Sequence, residues 1–265
     1  MHEEEYADHI EKNLRFRDLY ERDYIDRLQF ARDNGCNTAL LTGNGEPLAN
    51  VPFLNFFAAC NIRLPSPFRW IELQTSGVLL DDEKLRWLRN TVRVSMISLS
   101  ISDLFDHAEN DQIMGTPEGL RFLLASMCSE IKRYDFGLRL SLNLTKRYEE
   151  RSPEEVFKRA AELGADQITF RKLYADGDTP EAAWVKENAA SEEYIGAIDA
   201  YIAQAGRALD VLPFGARRYS VDGISTVLDG DCMSTADSKD AIRYLVLRPN
   251  CKLYTRWDDP GSILF

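Results

Sequence analysis

Between residues 42 and 47 the chain reads Thr42-Gly43-Asn44-Gly45-Glu46-Pro47. Two glycines permit a sharp turn that exposes backbone N–H and C=O groups. Glu46 sets a carboxylate beside them, a partner for an ammonium. A plain glycine-rich turn has the same composition and stays open as an alternative. Further along, Gln74-Thr75-Ser76-Gly77 ends an apolar run, and Ser98, Ser100 and Ser102 alternate with apolar residues. Period-two spacing puts those three hydroxyls on one face of a strand. Ser141 and Asn143 alternate in the same way, and Arg171 and Lys172 are adjacent, so one of the two faces inward. A parallel strand is covered by helices on its outer face, which turns the hydroxyls toward an interior. A strand with one solvated face is the other option. Gathered at one mouth, these groups make a polar funnel suited to a sugar or an amino acid.

The elements that must position these residues alternate in type. Residues 1 to 35 read as helix, with a possible break at Tyr20–Asp23 and a stop at Asn34-Gly35. NTALLTG (residues 37–43) reads as a short buried strand, followed by a helix opened by Asn50 and Pro52. WIELQTS (70–76) is a strand, with a helix after Asp81-Asp82. VSMISLSIS (94–102) is a strand, with a helix expected from Thr116 and Pro117 along Leu120, Leu123, Leu124, Met127 and Ile131. LRLSLNL (138–144) is a strand, then Ser152-Pro153-Glu154-Glu155 form a capping box before a helix ending at Leu163-Gly164. DQITFRKL (166–173) is a strand, and after a polar loop a helix runs over about 191–208. Five strand–helix alternations predict an α/β fold, a partial (β/α) barrel of parallel strands of the TIM type. From Ala216 short β-rich runs follow turns such as Asp222-Gly223 and Pro249-Asn250-Cys251, which predicts a small antiparallel C-terminal appendage of two hairpins. The expected division is 1–215 and 216–265.

These segments resemble the radical S-adenosylmethionine (radical SAM) enzymes. LLTGNGEPL is similar to that family's Gly-Gly-Glu segment on the second barrel strand, with Asn44 where glycine is commoner. IELQTSGVLLDDEKL is similar to the third strand, with Thr75-Ser76-Gly77 where Thr-Asn-Gly often stands. VSMISLSISDLF and LRLSLNLTK resemble the fourth and fifth strands. The order holds from Thr38 to Leu173. The resemblance implies that Asn44, Gly45 and Glu46 hold the ammonium of S-adenosylmethionine. It also implies that Thr75, Ser98, Ser100 and Asn143 contact its ribose or carboxylate. In the family's complete enzymes a [4Fe–4S] cluster held by CxxxCxxC drives reductive cleavage of S-adenosylmethionine to a 5′-deoxyadenosyl radical. Here that triplet is absent from the chain. The N-terminal helix resembles the one that follows the cluster loop, so an upstream stretch carrying it is expected; a cluster-free descendant is the competing account. On either account this chain is expected to be inactive in the cleavage. A silent barrel that binds a nucleoside or peptide, and a barrel hydrolase or lyase using Glu46 and Asp103, are the rival functions.

Composition narrows the partners. With 32 Lys and Arg against 43 Asp and Glu, the net charge is −11, and no basic run exceeds a pair, so nucleic acid is not an expected partner. No apolar stretch approaches about 18 residues, which excludes a spanning helix, and the acidic start is unlike a signal peptide, so a cytoplasmic location is expected. Cys36, Cys60, Cys128, Cys232 and Cys251 are too scattered for a metal knuckle or a disulfide framework, and read as buried free thiols. His2, His9 and His107 are equally scattered; His107 reads as a solvated loop residue. Asp229, Asp231 and Asp237 around Cys232 read as a turn rather than a cation loop. The substrate, a small molecule or a peptide, is not named by the residues. A barrel without its first strand would leave strand 37–42 with an open edge, and a homodimer contact or a swapped element is expected to cover it.

Overall fold

The computed structural model describes residues 17–43, 45–175, 177–212, 215–229, 242, 244–248, 250–256 and 259–265. Contacts divide the chain into two compact units. The first comprises Met1–Thr75, Leu79–Met96 and Ser238–Phe265, and the second Ser76–Val78 and Ile97–Asp237.

In the first unit, β1 (Thr38–Leu41) and β2 (Trp70–Thr75) run parallel, with Thr38 opposite Trp70 and Leu41 opposite Leu73. β1 is half-exposed rather than buried, and Leu40 keeps 48% of its surface. The crossover is built by two caps. Glu46 caps a 3-10 turn at Pro47–Ala49, and Asn50 caps α2 (Val51–Ile62) by accepting from the Phe53 N–H. Such caps satisfy the orphan donors of a first turn. Before them, α1 (Arg17–Asp33) is continuous through Tyr20–Asp23, so the expected break is absent. The reason is packing. Tyr20 and Tyr24, one turn apart, both rest on Phe56 at ring separations of 5.2 and 5.0 Å. Gly35, at φ +89°, ends the helix where Asn34-Gly35 predicted. After β2, Asp81 caps α3 (Asp82–Trp87), which runs on as a π turn over Leu88–Val92. β9 (Val246–Leu247) and β10 (Leu253–Tyr254) form the expected second hairpin. The C-terminal Phe265 stacks edge-on against Phe30 at 4.9 Å.

In the second unit the strands are β3 (Met96–Ile101, from Ile97 on), β4 (Gly137–Leu144), β5 (Gln167–Lys172), β6 (Arg207–Val211), β7 (Arg217–Val221) and β8 (Ile224–Asp229). They lie in the order β3-β4-β5-β8-β7-β6. β5 is parallel to both β4 and β8, while β6, β7 and β8 are antiparallel to one another in turn. The β7–β8 hairpin turns through Asp222 and Gly223 at φ +50° and +86°, the positive-φ pair that a two-residue hairpin requires. β8 thus closes a hairpin and also continues the parallel sheet.

One face of this sheet is apolar. Leu138, Leu140, Leu142, Leu144, Ile168 and Phe170 are at most 1% exposed, and Phe157 of α6 (Pro153–Glu162) meets Phe170 at 5.5 Å. The Ser152–Glu155 capping box is present as predicted. Other boundaries differ. His107 begins a helix, α4 (His107–Ile113), because Asp106 caps it; it is not in a loop. Pro117 starts a 3-10 turn, and α5 begins at Leu124 (Leu124–Arg133), which leaves Leu120 and Leu123 exposed rather than on a buried stripe. The polar loop after β5 contains α7 (Pro180–Asn188), started by Thr179. The last helix, α8 (Glu192–Ala205), stops at Gly206, and Arg207 and Ala208 belong to β6. A Cβ at Gly206 would stand 2.4 Å from the Ile202 carbonyl oxygen, so the helix end needs glycine.

Candidate functional site

Glu46 is the organising acid of the first unit. Its Oε1 accepts from Thr75 Oγ1 at 2.7 Å and from the Leu48 N–H at 3.2 Å. The strand end of β2 thereby clamps the acid that follows β1. Thr75 is 3% exposed, while Glu46 is half-buried, so the clamp sits at the rim of the core. Gly45 is an exposed bend residue, and Asn44 lies outside the described residues. Gly43 has no positive φ. A glycine that is sterically required is Gly77 of the second unit. It has φ +88°, and an added Cβ would stand 2.9 Å from Phe122 Cζ and 3.3 Å from Leu99 Cδ2.

The second unit carries the alternating hydroxyls. Ser98 is 1% exposed and Ser102 3%, with Ser100 half-buried. Asn143 Nδ2 donates to Ser102 Oγ at 3.2 Å, and Thr145 Oγ1 donates to the Ser102 carbonyl at 2.9 Å. Ser98 Oγ is buried with no hydrogen-bond partner. A buried hydroxyl in that state is uncommon.

Register extends this polar face. Ser141 lies opposite Thr169 and Asn143 opposite Arg171, on the face away from Phe170. Arg171 Nε donates to Ser141 Oγ at 2.7 Å, whereas Lys172 pairs with Glu192 at the start of α8. As expected of neighbours in a strand, one of the two takes the polar face. Arg139, which donates to Gln167 Oε1 from Nε and Nη2, sits on the same face. In the first unit, Glu72 is 5% exposed and accepts from Gln74 Nε2 at 3.1 Å. Arg139, Thr169 and Glu72 were not singled out in the sequence. The same period-two alternation that found Ser98 marks all three.

Gly45, Glu46 and Thr75 thus fall in the first unit, and Ser98, Ser100 and Asn143 in the second. Within the units, the structure brings Glu46 to Thr75 and Asn143 to Ser102.

The other groups have quieter roles. Asp103 Oδ1 accepts from the Phe105 and Asp106 N–H groups at 2.9 Å, and its Oδ2 faces Arg147 Nε at 3.4 Å. Its carboxylate therefore holds a turn, which argues against acid–base work. Cys60, Cys128 and Cys251 are buried and Cys36 is half-buried, none of them in a disulfide. Burial pushes the Cys128 thiol up to about 12 and Cys251 to about 11, so both stay protonated at neutral pH. No group of three metal-ligating side chains occurs among the described residues. The described residues therefore offer no ligand set for a [4Fe–4S] cluster. His2, His9, Cys232, Asp231 and Asp237 lie outside the described residues. No helix among those described is long and apolar enough to cross a membrane.

No family model matches the chain, and no curated protein does. Solved structures do. Native anSMEcpe with bound AdoMet (S-adenosylmethionine) superposes with a TM-score of 0.53 at 14% identity, over 93% of this chain and 68% of that one. SuiB of Streptococcus suis bound to S-adenosylmethionine gives 0.44 at 18% identity, over 69% of this chain and 41% of that one. The chain therefore spans less than half the length of SuiB. Both neighbours are radical SAM enzymes. At these identities the likeness is one of architecture: the chain has the α/β fold of the anSMEcpe barrel, consistent with a partial TIM-like barrel.

Proposed function

We propose that the chain is the S-adenosylmethionine-binding part of a radical SAM enzyme, and that without cluster ligands of its own it binds the cofactor and does not cleave it. The observation that carries this is Glu46: its half-buried carboxylate follows a parallel strand and accepts from Thr75 Oγ1 at 2.7 Å, in a chain with the fold of an AdoMet-bound enzyme.

S-adenosylmethionine offers an ammonium, a carboxylate, a sulfonium and a ribose diol, and in a complete enzyme it supplies the 5′-deoxyadenosyl group. The chain's own groups match those needs. Glu46, with the backbone of Asn44 and Gly45, takes the ammonium through a charge-assisted hydrogen bond. Thr75 holds the carboxylate of Glu46 in one orientation, which spares part of the ordering cost on binding. Ser98 and Ser100 offer hydroxyls, and Asn143 an amide, to the diol or the carboxylate.

Titration of S-adenosylmethionine onto the chain by calorimetry tests this. Saturable binding is expected, weakened about tenfold in Glu46→Gln, which loses the charge but keeps an acceptor for Thr75. Absence of binding, or equal affinity in the wild type, Glu46→Gln and Ser98→Ala, would overturn the proposal.

A further inference from the structure

Three consecutive strand–helix connections of the second unit surround a cleft of about 230 Å³. α4, after β3, gives it Gln112 and Ile113, and the turn after β4 gives it Lys146 and Arg147. α7, after β5, gives it Trp184 and Asn188. β4 and β5 are parallel, so the cleft lies beyond the carboxyl ends of their strands, where α/β proteins place ligands.

Trp184 is 40% exposed, and α7 has no buried residue. That helix is held by its ends instead. Thr179 caps its start; past its end Ala189 bridges to Thr145, and the Ala190 N–H donates to the Leu144 carbonyl at 3.0 Å. The indole is therefore no core anchor. It presents a broad apolar face to the cleft, the kind of surface on which a second ring stacks.

The charges around it select the ligand. Arg147 Nη1 meets Glu150 at 3.1 Å and Nε faces Asp103 at 3.4 Å, while Glu109 stands in the same lining. A ligand anion would meet these carboxylates, and a ligand cation would meet Lys146 and Arg147. A group without net charge meets neither penalty. Gln112 and Asn188 contribute amides, each a donor and an acceptor, as a peptide unit is. Asn188 Nδ2 donates to the Trp184 carbonyl at 2.9 Å, which holds that amide in place.

We propose that this cleft binds an aromatic side chain together with its backbone groups. The ring lies against Trp184, and the backbone groups are met by Gln112 and Asn188. A volume of about 230 Å³ is below the ~300–1,000 Å³ of pockets for drug-sized ligands, so one residue enters rather than a longer segment. That residue belongs to a peptide or is a free amino acid. The inference goes beyond the cofactor reading, because no residue of the cleft is assigned to S-adenosylmethionine.

The test titrates N-acetylphenylalaninamide and, separately, phenylalanine into the full chain without S-adenosylmethionine. NMR follows the backbone amide of Arg147 and the indole N–H of Trp184. One or both probes should shift these signals saturably. Binding of the blocked amide names a peptide as the source, and binding of phenylalanine alone names the free amino acid. N-acetylalaninamide, which lacks the ring, should bind about tenfold more weakly. Trp184→Ala should weaken binding about tenfold, as loss of a tryptophan anchor does, read from the Arg147 signal. Trp184→Leu, which keeps bulk without the ring, should lie in between and serves if the alanine variant fails to fold. Lys186→Ala, on the same helix but outside the lining, should bind as the wild type does. Three results would each overturn the proposal: no saturable shift with either aromatic probe, equal binding of the alanine probe, or equal binding by wild type and both Trp184 variants. Because the titration omits the cofactor, its failure leaves the cofactor reading standing. Failure of cofactor binding in its own titration likewise leaves this cleft in place.

Discussion

Thr75 Oγ1 and Glu46 Oε1 meet at 2.7 Å, so the side chain that ends one strand orients the acid that follows its neighbour. The same oxygen also caps the turn at Pro47–Ala49 through the Leu48 N–H. Position and charge of this acid are thus separable. Thr75→Val should cost about 1 kcal/mol in urea denaturation, the usual worth of one hydrogen bond, and lower S-adenosylmethionine affinity a few-fold. Glu46→Gln should leave stability within about 0.5 kcal/mol and still weaken binding more than Thr75→Val does. The reverse order would show that Glu46 is a cap and nothing more.

Ser98 Oγ and Tyr148 Oη, both buried and without a hydrogen-bond partner among the described residues, separate structure from function. Each variant, Ser98→Ala and Tyr148→Phe, removes an unsatisfied polar group and should raise stability by about 1 kcal/mol. Ser98→Ala should also weaken S-adenosylmethionine binding, whereas Tyr148→Phe should leave it unchanged. Thermal melts with and without the cofactor read both effects. Equal behaviour of the two variants would remove Ser98 from the site.

Gly77→Ala should destabilise by about 2 kcal/mol, because a left-handed backbone and a 2.9 Å contact with Phe122 both penalise a Cβ. Gly43→Ala should stay within about 0.5 kcal/mol, since its Cβ would meet nothing nearer than Gly45 N at 4.0 Å. Denaturation midpoints of the two variants check this directly.

The capping box gives a pH signature. Hydrogen bonds from the Ser152 backbone and side chain hold the Glu155 carboxyl below its ordinary range. A depressed folded-state value means the stabilisation is complete above the unfolded value of about 4.3. It is lost as pH falls from there through the folded value. Glu155→Gln should abolish that part of the acid dependence in stability curves measured below about pH 5, and Ser152→Ala should cost about 1 kcal/mol at neutral pH. An unchanged acid limb in Glu155→Gln would show that the cap contributes nothing through its charge.

Much of the fold was legible because strands and caps are local. The runs at 70–76 and 138–144 and the Ser152–Glu155 box appear where period and cap chemistry put them, and Asp222-Gly223 turns a hairpin. Two helices were not read, for different reasons. His107–Ile113 has no apolar stripe and is short, so Asp106 as a cap was its one signal. Pro180–Asn188 announces itself by Thr179-Pro180-Glu181, a sound helix start hidden within a polar stretch. At Tyr20–Asp23 a possible break gave way to a continuous helix, which stacking on Phe56 supports. The site was half legible. Alternation marks Ser98 and Asn143, while the Glu46–Thr75 clamp and the Arg171–Ser141 bond depend on strand pairing, which no local pattern encodes.

The account's central claim is that Glu46 receives the ammonium of S-adenosylmethionine. A crystal structure of this chain grown with the cofactor reads it most directly. The predicted result is the methionyl ammonium within hydrogen-bonding distance of the Glu46 carboxylate, with Thr75 still donating to Oε1. A bound cofactor whose ammonium lies away from the Glu46 carboxylate would contradict it.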